Sequence, residues 1–445
     1  MKRVLMVSPY FPPDTSAGTH RVRLLAPHLP AFGWEPTVLT VDPEAYEGRL
    51  DPDLARLVPA SLRVLRTDAW PASVTRRVGI GDLGLRALAG LRRAAKELLS
   101  RERFDALFIT LYPTYPAVLG PGLKRRFGVP FVLDYQDPWV GAWGHHVGGG
   151  ANSTADLKSR ITRAIGERLE PRVVRQADAL TAVSARTYED VLARVPDARP
   201  RACASIPLGF EEQDLEALRG APRSNDCFDP RDGLVHVCYV GTVLPTGGEV
   251  LSSTLGAVRQ LRDQAPAIYQ RLRLHFLGSS NQRDPAAVAR VLPIAQELGV
   301  ADVVREVPPR LDYLDALNVQ VDASALLLLG SAEPHYTPSR VFPALLSGRP
   351  IVAVYHEESS VLDVLRAPGV NACVIAFGEA SPPRARIGAI RDALADIIKG
   401  APGCRRSETG EMAGAGRQPL HGALRSWSAH SLTERLAGVL NVVSS

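Results

Sequence analysis

The densest chemistry in the chain lies in EPHYTPSRVFPALLSGRPIVAV, Glu333–Val354, where Glu333, His335, Thr337, Ser339 and Arg340 crowd one turn. Thr337-Pro338-Ser339 reads as a helix start, with a hydroxyl cap and a proline in the first turn. Gly348 ends that short helix, Pro350 blocks its continuation, and Ile351–Val354 is the next buried strand. A helix N-terminus fed by Ser339 and Arg340 suits a diphosphate, because amide N–H groups and a guanidinium both answer phosphate oxygens. A plain strand–helix–strand corner explains the periodicity here, but not the crowding of polar side chains.

Three other turns carry possible chemistry. SPYFPPDTSAG, Ser8–Gly18, is stiffened by Pro12-Pro13, and Gly18 would let a backbone come close to a ligand. An ordinary proline-rich turn is the alternative. DYQDPWVGAW, Asp134–Trp143, follows an apolar run and offers carboxylates beside tryptophan faces that suit sugar rings. Asp137 could orient an acceptor hydroxyl, or Asp137-Pro138 could simply start a turn. His145-His146 lacks a third ligand at recognisable spacing, so no metal is expected. GTVLPTGG, Gly241–Gly248, is a glycine-flanked turn ahead of a helix and is weak evidence taken alone.

These turns need a scaffold that places them at one edge. Short β-type runs (Val4–Val7, Thr37–Val41, Leu62–Leu65, Ala106–Thr110, Phe131–Leu133, Ala179–Val183) alternate with helical patterns such as Thr19–Phe32, Leu85–Arg103 and Leu157–Gln176. A second series begins at Val235 and includes Leu272–Leu277, Val303–Val307, Ala323–Leu329, Ile351–Tyr355 and Ala372–Phe377. Such alternation predicts α/β architecture: two Rossmann-like halves, each a parallel sheet with helices on both faces. Ligands of such sheets sit beyond the carboxyl ends of the strands, which is where the four turns fall.

The expected organisation is a first domain over 1–210, a linker over 211–232, a second domain over 233–422 and a final helix over 423–445. The polar stretch Glu211–Asp232 sets the linker, and Gly400–Gly422 reads as a connection rich in Gly, Pro, Arg and Ser. The last helix, Ser428–Leu440, has a serine cap and could pack back on the first domain. A length of 445 residues itself favours two cores.

Composition narrows the function classes. The net charge is +5, and only Lys2, Lys96, Lys124, Lys158 and Lys399 supply lysine. No basic stripe interleaves with aromatics, which argues against nucleic acid as a partner. Cys203, Cys227, Cys238, Cys373 and Cys404 are odd in number and lack metal-ligand spacing, as in a reduced compartment. The apolar run Ala323–Gly330 is far short of a membrane span. A cytoplasmic protein is expected. Arg86, Arg92, Arg93, Lys96, Arg101 and Arg103 lie on one helical segment, which is either a solvated face or a peripheral contact with an anionic membrane.

The order of these segments resembles the GT-B glycosyltransferases, in particular the retaining, family 4 type found among bacterial polysaccharide enzymes. VSPYFPPDTSAGTHR, PFVLDYQDPW, ADALTAVSA with IPLGFEEQDL, YVGT, HFLGSS and PSRVFPALLSGRPIVAV come in the sequence expected of that group. The resemblance implies two domains facing across a cleft, and a nucleotide sugar, UDP- or GDP-linked, held by the second. A small or lipid-linked acceptor would enter from the first. On that resemblance Gly241, Thr242, Gly278, Glu333, His335, Thr337, Ser339 and Arg340 are donor-side. Gly18, Arg21, Tyr112 and Trp139 are acceptor-side, and Asp137 with Gln136 are catalytic. No metal and no cofactor beyond the donor is implied.

Departures from the group are specific. Many relatives carry two glutamates across the fourth turn, and here His335 and Pro343 stand in those places. Many carry an Arg and a Lys after the Gly241 strand, where this chain has Thr242 and Val243. Gln136 or Asp137 stands where many have His. Two other readings therefore stay open: a pseudo-glycosyltransferase or nucleotide-sugar epimerase on the same fold, and a non-catalytic binding protein of a polysaccharide pathway.

Overall fold

The computed structural model describes residues 1–48, 50–140, 153–280, 287–332, 339–400, 422 and 424–445. The chain divides into two compact units: Met1–Gly209 with Trp427–Ser445, and Phe210–Ser426.

The first unit holds seven strands: β1 (Lys2–Val7), β2 (Trp34–Val41), β3 (Arg63–Thr67), β4 (Ala106–Thr110), β5 (Phe131–Tyr135), β6 (Ala179–Ala182) and β7 (Ala202–Ser205). Their order is β3-β2-β1-β4-β5-β6-β7, and every pairing is parallel. Side chains alternate across β1. Leu5 and Val7 enter a core with the helix Leu83–Arg101, while Val4 and Met6 enter another with the helix Thr19–Leu25. Both faces are covered, so the strand reads as one apolar run. β7 is not expected from the sequence, because ACAS is short and only partly buried at the sheet edge.

The second unit repeats the plan with six strands: β8 (Val235–Val240), β9 (Leu272–Leu277), β10 (Val304–Val307), β11 (Ala325–Leu329), β12 (Ile351–His356) and β13 (Ala372–Phe377). Their order is β10-β9-β8-β11-β12-β13, again parallel throughout. In each sheet the order reverses beside the first strand, between β1 and β4 and between β8 and β11. That switch point opens a crevice at the carboxyl ends.

The stretch 211–232 is not an open linker. It contains the helix Glu212–Gly220, and Tyr313 donates to Asp214 at 2.7 Å. Asp214 is buried, and Arg223 pairs with Asp315 at 2.5 Å, so the segment is tied into the second unit. The polar pattern that suggests a linker is the exposed face of this helix and its turn.

The last helix, Ala429–Ser444, belongs to the first unit. Ser428 caps it through the amide of Ser431. Leu432, Leu436, Leu440 and Val443 join the core of Val4, Met6 and Trp34. Trp34 donates to Asn441 at 3.1 Å, and Thr433 to the Leu25 carbonyl at 3.2 Å. Among the described residues, no helix is long and apolar enough to cross a membrane. Arg86 leaves the expected basic face: it is buried and donates to the carbonyls of Trp70 and Ala45.

Candidate functional site

In the second unit the site is built on the turns after β8 and β9. Gly241 has φ +131° and Gly278 φ +69°, conformations that side-chain-bearing residues rarely adopt. The Gly241 amide extends the ladder onto the Leu277 carbonyl at 2.8 Å. The chain then turns so that the Thr242 carbonyl receives two donors, Tyr239 Oη at 2.8 Å and Arg340 Nη2 at 2.9 Å. The Arg340 guanidinium lies over the Tyr239 ring, 4.8 Å from its centroid. Burial pushes the Arg340 group below its ordinary pKa. The next carbonyl, Val243, accepts from Arg290 at 2.6 Å.

Gly241, Thr242, Gly278 and Arg340 are thus brought together. Arg290 is not among the residues that the sequence singles out, since nothing local links it to Val243, 47 residues away. Together the two arginines place cations at the turn where the Arg and Lys of many relatives are replaced by Thr242 and Val243. The expected helix start moves. The helix is Val341–Ser347, its N-cap is Arg340, and no side chain of the described residues caps it. Ser339 takes part through its carbonyl, which accepts from the Phe342 amide at 3.2 Å. Gly348 ends the helix at φ +69°. Glu333, His335 and Thr337 lie outside the described residues, as do His145 and His146.

In the first unit the turns after β1, β4 and β5 meet. Asp14 organises the loop after β1, accepting from the Ser16 amide at 2.8 Å and from Thr19 Oγ1 at 2.6 Å. Gly18 is needed for packing: a methyl there would overlap the Tyr112 ring. Its smallness is spent on a side chain of this unit, which replaces the expected backbone approach to a ligand. Trp139 packs edge-on to Tyr115 at 6.3 Å. Gln136 and Asp137 follow β5 and are half-buried. Gln136 Nε2 is buried with no hydrogen-bond partner among the described residues. Burial pushes the Asp137 carboxyl up to about 6.

Arg21 does not fit the acceptor-side expectation. It is fully buried and forms a two-point pair with Asp134, Nε–Oδ2 2.8 Å and Nη2–Oδ1 2.5 Å. Its Nη1 donates to the carbonyl of Ile206 at 2.6 Å, and Thr181 donates to the same carboxylate at 2.7 Å. The pair fastens the first helix to β5, so Asp134 too is taken out of reach of any acceptor.

A cavity of about 630 Å³ lies at the opposite, amino end of the first sheet, lined in part by Asp105, Lys124, Pro130, Asp178 and Arg201. Lys124 is paired with Asp178 at 2.8 Å, and Arg201 with the Val443 carbonyl at 2.9 Å. None of the site residues singled out in the sequence faces it. Among the described residues, no cluster of His, Cys, Asp and Glu could hold a metal.

Residues 17–209 match the family model of the glycosyl transferase 4-like domain. The chain is 28% identical over 262 residues to a D-inositol 3-phosphate glycosyltransferase of Geodermatophilus obscurus, covering 56% of this chain and 49% of that protein. It is 29% identical over 238 residues to the protein of the same name from Saccharomonospora viridis, covering 52% and 50%. The chain thus matches about half the length of these curated relatives. Solved structures agree over nearly the full chain. HepE of Anabaena, in complex with UDP and glucose, superposes with TM-score 0.57 at 15% identity, covering 99% and 100% of the two chains. A UDP-forming α,α-trehalose-phosphate synthase of Burkholderia vietnamiensis gives 0.59 at 12% identity, covering 100% and 99%. Residues 17–209 of the first unit thus resemble the glycosyl transferase 4-like domain, and the chain shares its fold of two Rossmann-like domains with these solved structures.

Proposed function

We propose that this chain transfers a glycosyl group from a nucleoside-diphosphate sugar, UDP- or GDP-linked, to an acceptor hydroxyl, with retention and without a metal. The observation that carries the reading is the Arg340 clamp: a half-buried guanidinium fixed on the Thr242 carbonyl and the Tyr239 face, beside two positive-φ glycine turns at the carboxyl end of the second sheet. A cation held in place before the ligand arrives costs no reorganisation when charge develops on the leaving diphosphate. The names of the curated relatives support the same activity class.

In this reading the bond from the anomeric carbon to the phosphoryl oxygen breaks as the acceptor oxygen bonds to that carbon on the same face. The nucleoside diphosphate leaves toward Ser339 and Arg340. The acceptor proton passes to Asp137, whose carboxyl near 6 suits a base working around neutral pH.

The test is titration of the purified chain with UDP-, GDP- and dTDP-sugars, together with an assay of slow donor hydrolysis. One nucleotide series is expected to bind. Arg340→Ala should weaken that binding roughly 10- to 100-fold, the loss of one charge-assisted interaction, with the unfolding temperature kept. Chelator should leave turnover unchanged, and the product should keep the donor's anomeric configuration by NMR. A folded protein that answers none of these donors sinks the proposal.

A further inference from the structure

Two aromatic pairs lie at the carboxyl ends of neighbouring strands of the first sheet, at and beside the point where its strand order reverses. Tyr10 follows β1, Tyr112 and Tyr115 follow β4, and Trp139 follows β5. The Tyr10 ring lies 5.7 Å from that of Tyr46 and 5.8 Å from that of Tyr112. Tyr115 stands edge-on to Trp139. These rings are held from behind. The Tyr46 hydroxyl lies 3.1 and 3.0 Å from the carbonyls of Pro9 and Val41 and receives the Phe11 amide at 3.2 Å. Gly18 seats Tyr112. Tyr10, Tyr112 and Trp139 nevertheless stay only half-buried, so part of each remains open to a ligand.

Carboxylates outnumber arginines around the rings, Asp14, Asp82 and Asp137 against Arg66 and Arg86, with Arg21 neutralised by Asp134. Asp82 caps the helix Leu83–Arg101 through the Leu85 amide, and the fields of Asp14 and Asp82 both reach Tyr10, opposed in part by that of Arg86. Asp82 also acts on Tyr115, and together with burial it raises that phenol. Asp137 lies at the Trp139 end. The arginines of this region are committed to backbone or to the core: Arg86 to Trp70 and Ala45, Arg66 to the Pro12 carbonyl, and Arg21 to Asp134.

Aromatic faces carry negative quadrupole charge and attract the C–H face of a pyranose ring or an ammonium group. Carboxylates accept from its hydroxyls. A phosphate dianion in the same place would meet like charge on several sides. We propose that the acceptor of this site is an unphosphorylated sugar, neutral or amino-substituted, laid against Tyr10, Tyr112 and Trp139. This rests on the glycosyltransferase reading above and sets the chain apart from relatives named for a phosphorylated inositol.

The test uses the full chain with whichever donor it hydrolyses slowly in the absence of acceptor. Methyl glucoside and glucosamine are compared with glucose 6-phosphate and inositol 3-phosphate as acceptors. The kcat/KM is expected to be at least about tenfold higher for the unphosphorylated sugars, the size of effect that ring stacking and the avoided like-charge repulsion together supply. Tyr10→Ala should raise the acceptor KM about tenfold and leave the donor KM in place, while Tyr10→Phe stays near wild type. Asp82→Asn keeps a capping side chain and should narrow the preference against phosphorylated sugars several-fold. The proposal is overturned if phosphorylated sugars are used equally well or better. It is also overturned if none of the unphosphorylated sugars is glycosylated while donor is hydrolysed, or if Tyr10→Ala moves both KM values together. Absence of donor binding and hydrolysis in the wild type would instead count against the glycosyltransferase reading itself.

Discussion

Arg21 and Arg340 hold comparable places in the two units, each beside the turn that follows a central strand, and they have opposite fates. Arg21 is enclosed by Asp134, Thr181 and the Ile206 carbonyl and has no exposed surface. Arg340 rests on a carbonyl and a ring face and stays half-buried. Asp134 and Asp137 repeat the contrast within three residues. The first is locked in the Arg21 pair, while the second stands past the end of β5 with its carboxyl raised by burial. Residue type alone does not separate a ligand-binding group from a fastener. What separates them is whether the fold has closed the surface over the group.

Asp137 offers the largest way to break this contrast. If it is the base, Asp137→Asn should lower kcat by about 10²- to 10⁴-fold with the unfolding temperature little changed. The wild-type kcat/KM should rise with pH through about 6 and level off above, because the deprotonated carboxylate is the active form. A flat profile between pH 5 and 7, or full activity in the asparagine variant, would return Asp137 to a turn residue.

Arg21 comes next. Removing one partner of a buried pair leaves the other charge uncompensated, so Arg21→Ala should cost about 3–5 kcal/mol of stability. Chemical denaturation of the first unit reads this directly. Arg340→Ala, by contrast, should lose donor affinity with little change in that measurement. If the two variants show the same pattern, the distinction between fastener and ligand group fails.

Much of the fold was legible because both sheets are parallel and buried on both faces. Their strands read as apolar runs with turn residues after each, and the helix ends at Gly33, Gly128 and Gly348 carry the left-handed C-cap that glycine favours. Pairing across the chain was not legible. Arg21 meets Asp134 over 113 residues and Arg340 meets Thr242 over 98, and nothing local marks either contact. Arg21 is therefore placed on the acceptor side by resemblance alone, and Arg290 draws no notice. The packing of Gly18 on Tyr112 is hidden for the same reason, since a glycine in a loop looks alike whether it faces a ligand or a ring.

Tyr355 supplies a third case and the smallest effect. Its hydroxyl is buried, as Arg21 is, yet among the described residues it has no hydrogen-bond partner. The ring sits against Gly330, where an added methyl would approach Tyr355 Cδ1 to 2.8 Å. Burial raises the phenol well above its ordinary pKa, so the group stays neutral. A buried donor without an acceptor costs stability and contributes none, at roughly 1–3 kcal/mol. Tyr355→Phe keeps the ring and deletes the orphan. It should therefore be neutral or stabilise the second unit by about 1 kcal/mol, a rise of about 2–4 °C in its thermal transition. If burial by itself were what made Arg21 structural, the same substitution would destabilise. A loss above about 1 kcal/mol would mean that the hydroxyl has found a partner, and satisfaction could then no longer be separated from enclosure in this protein.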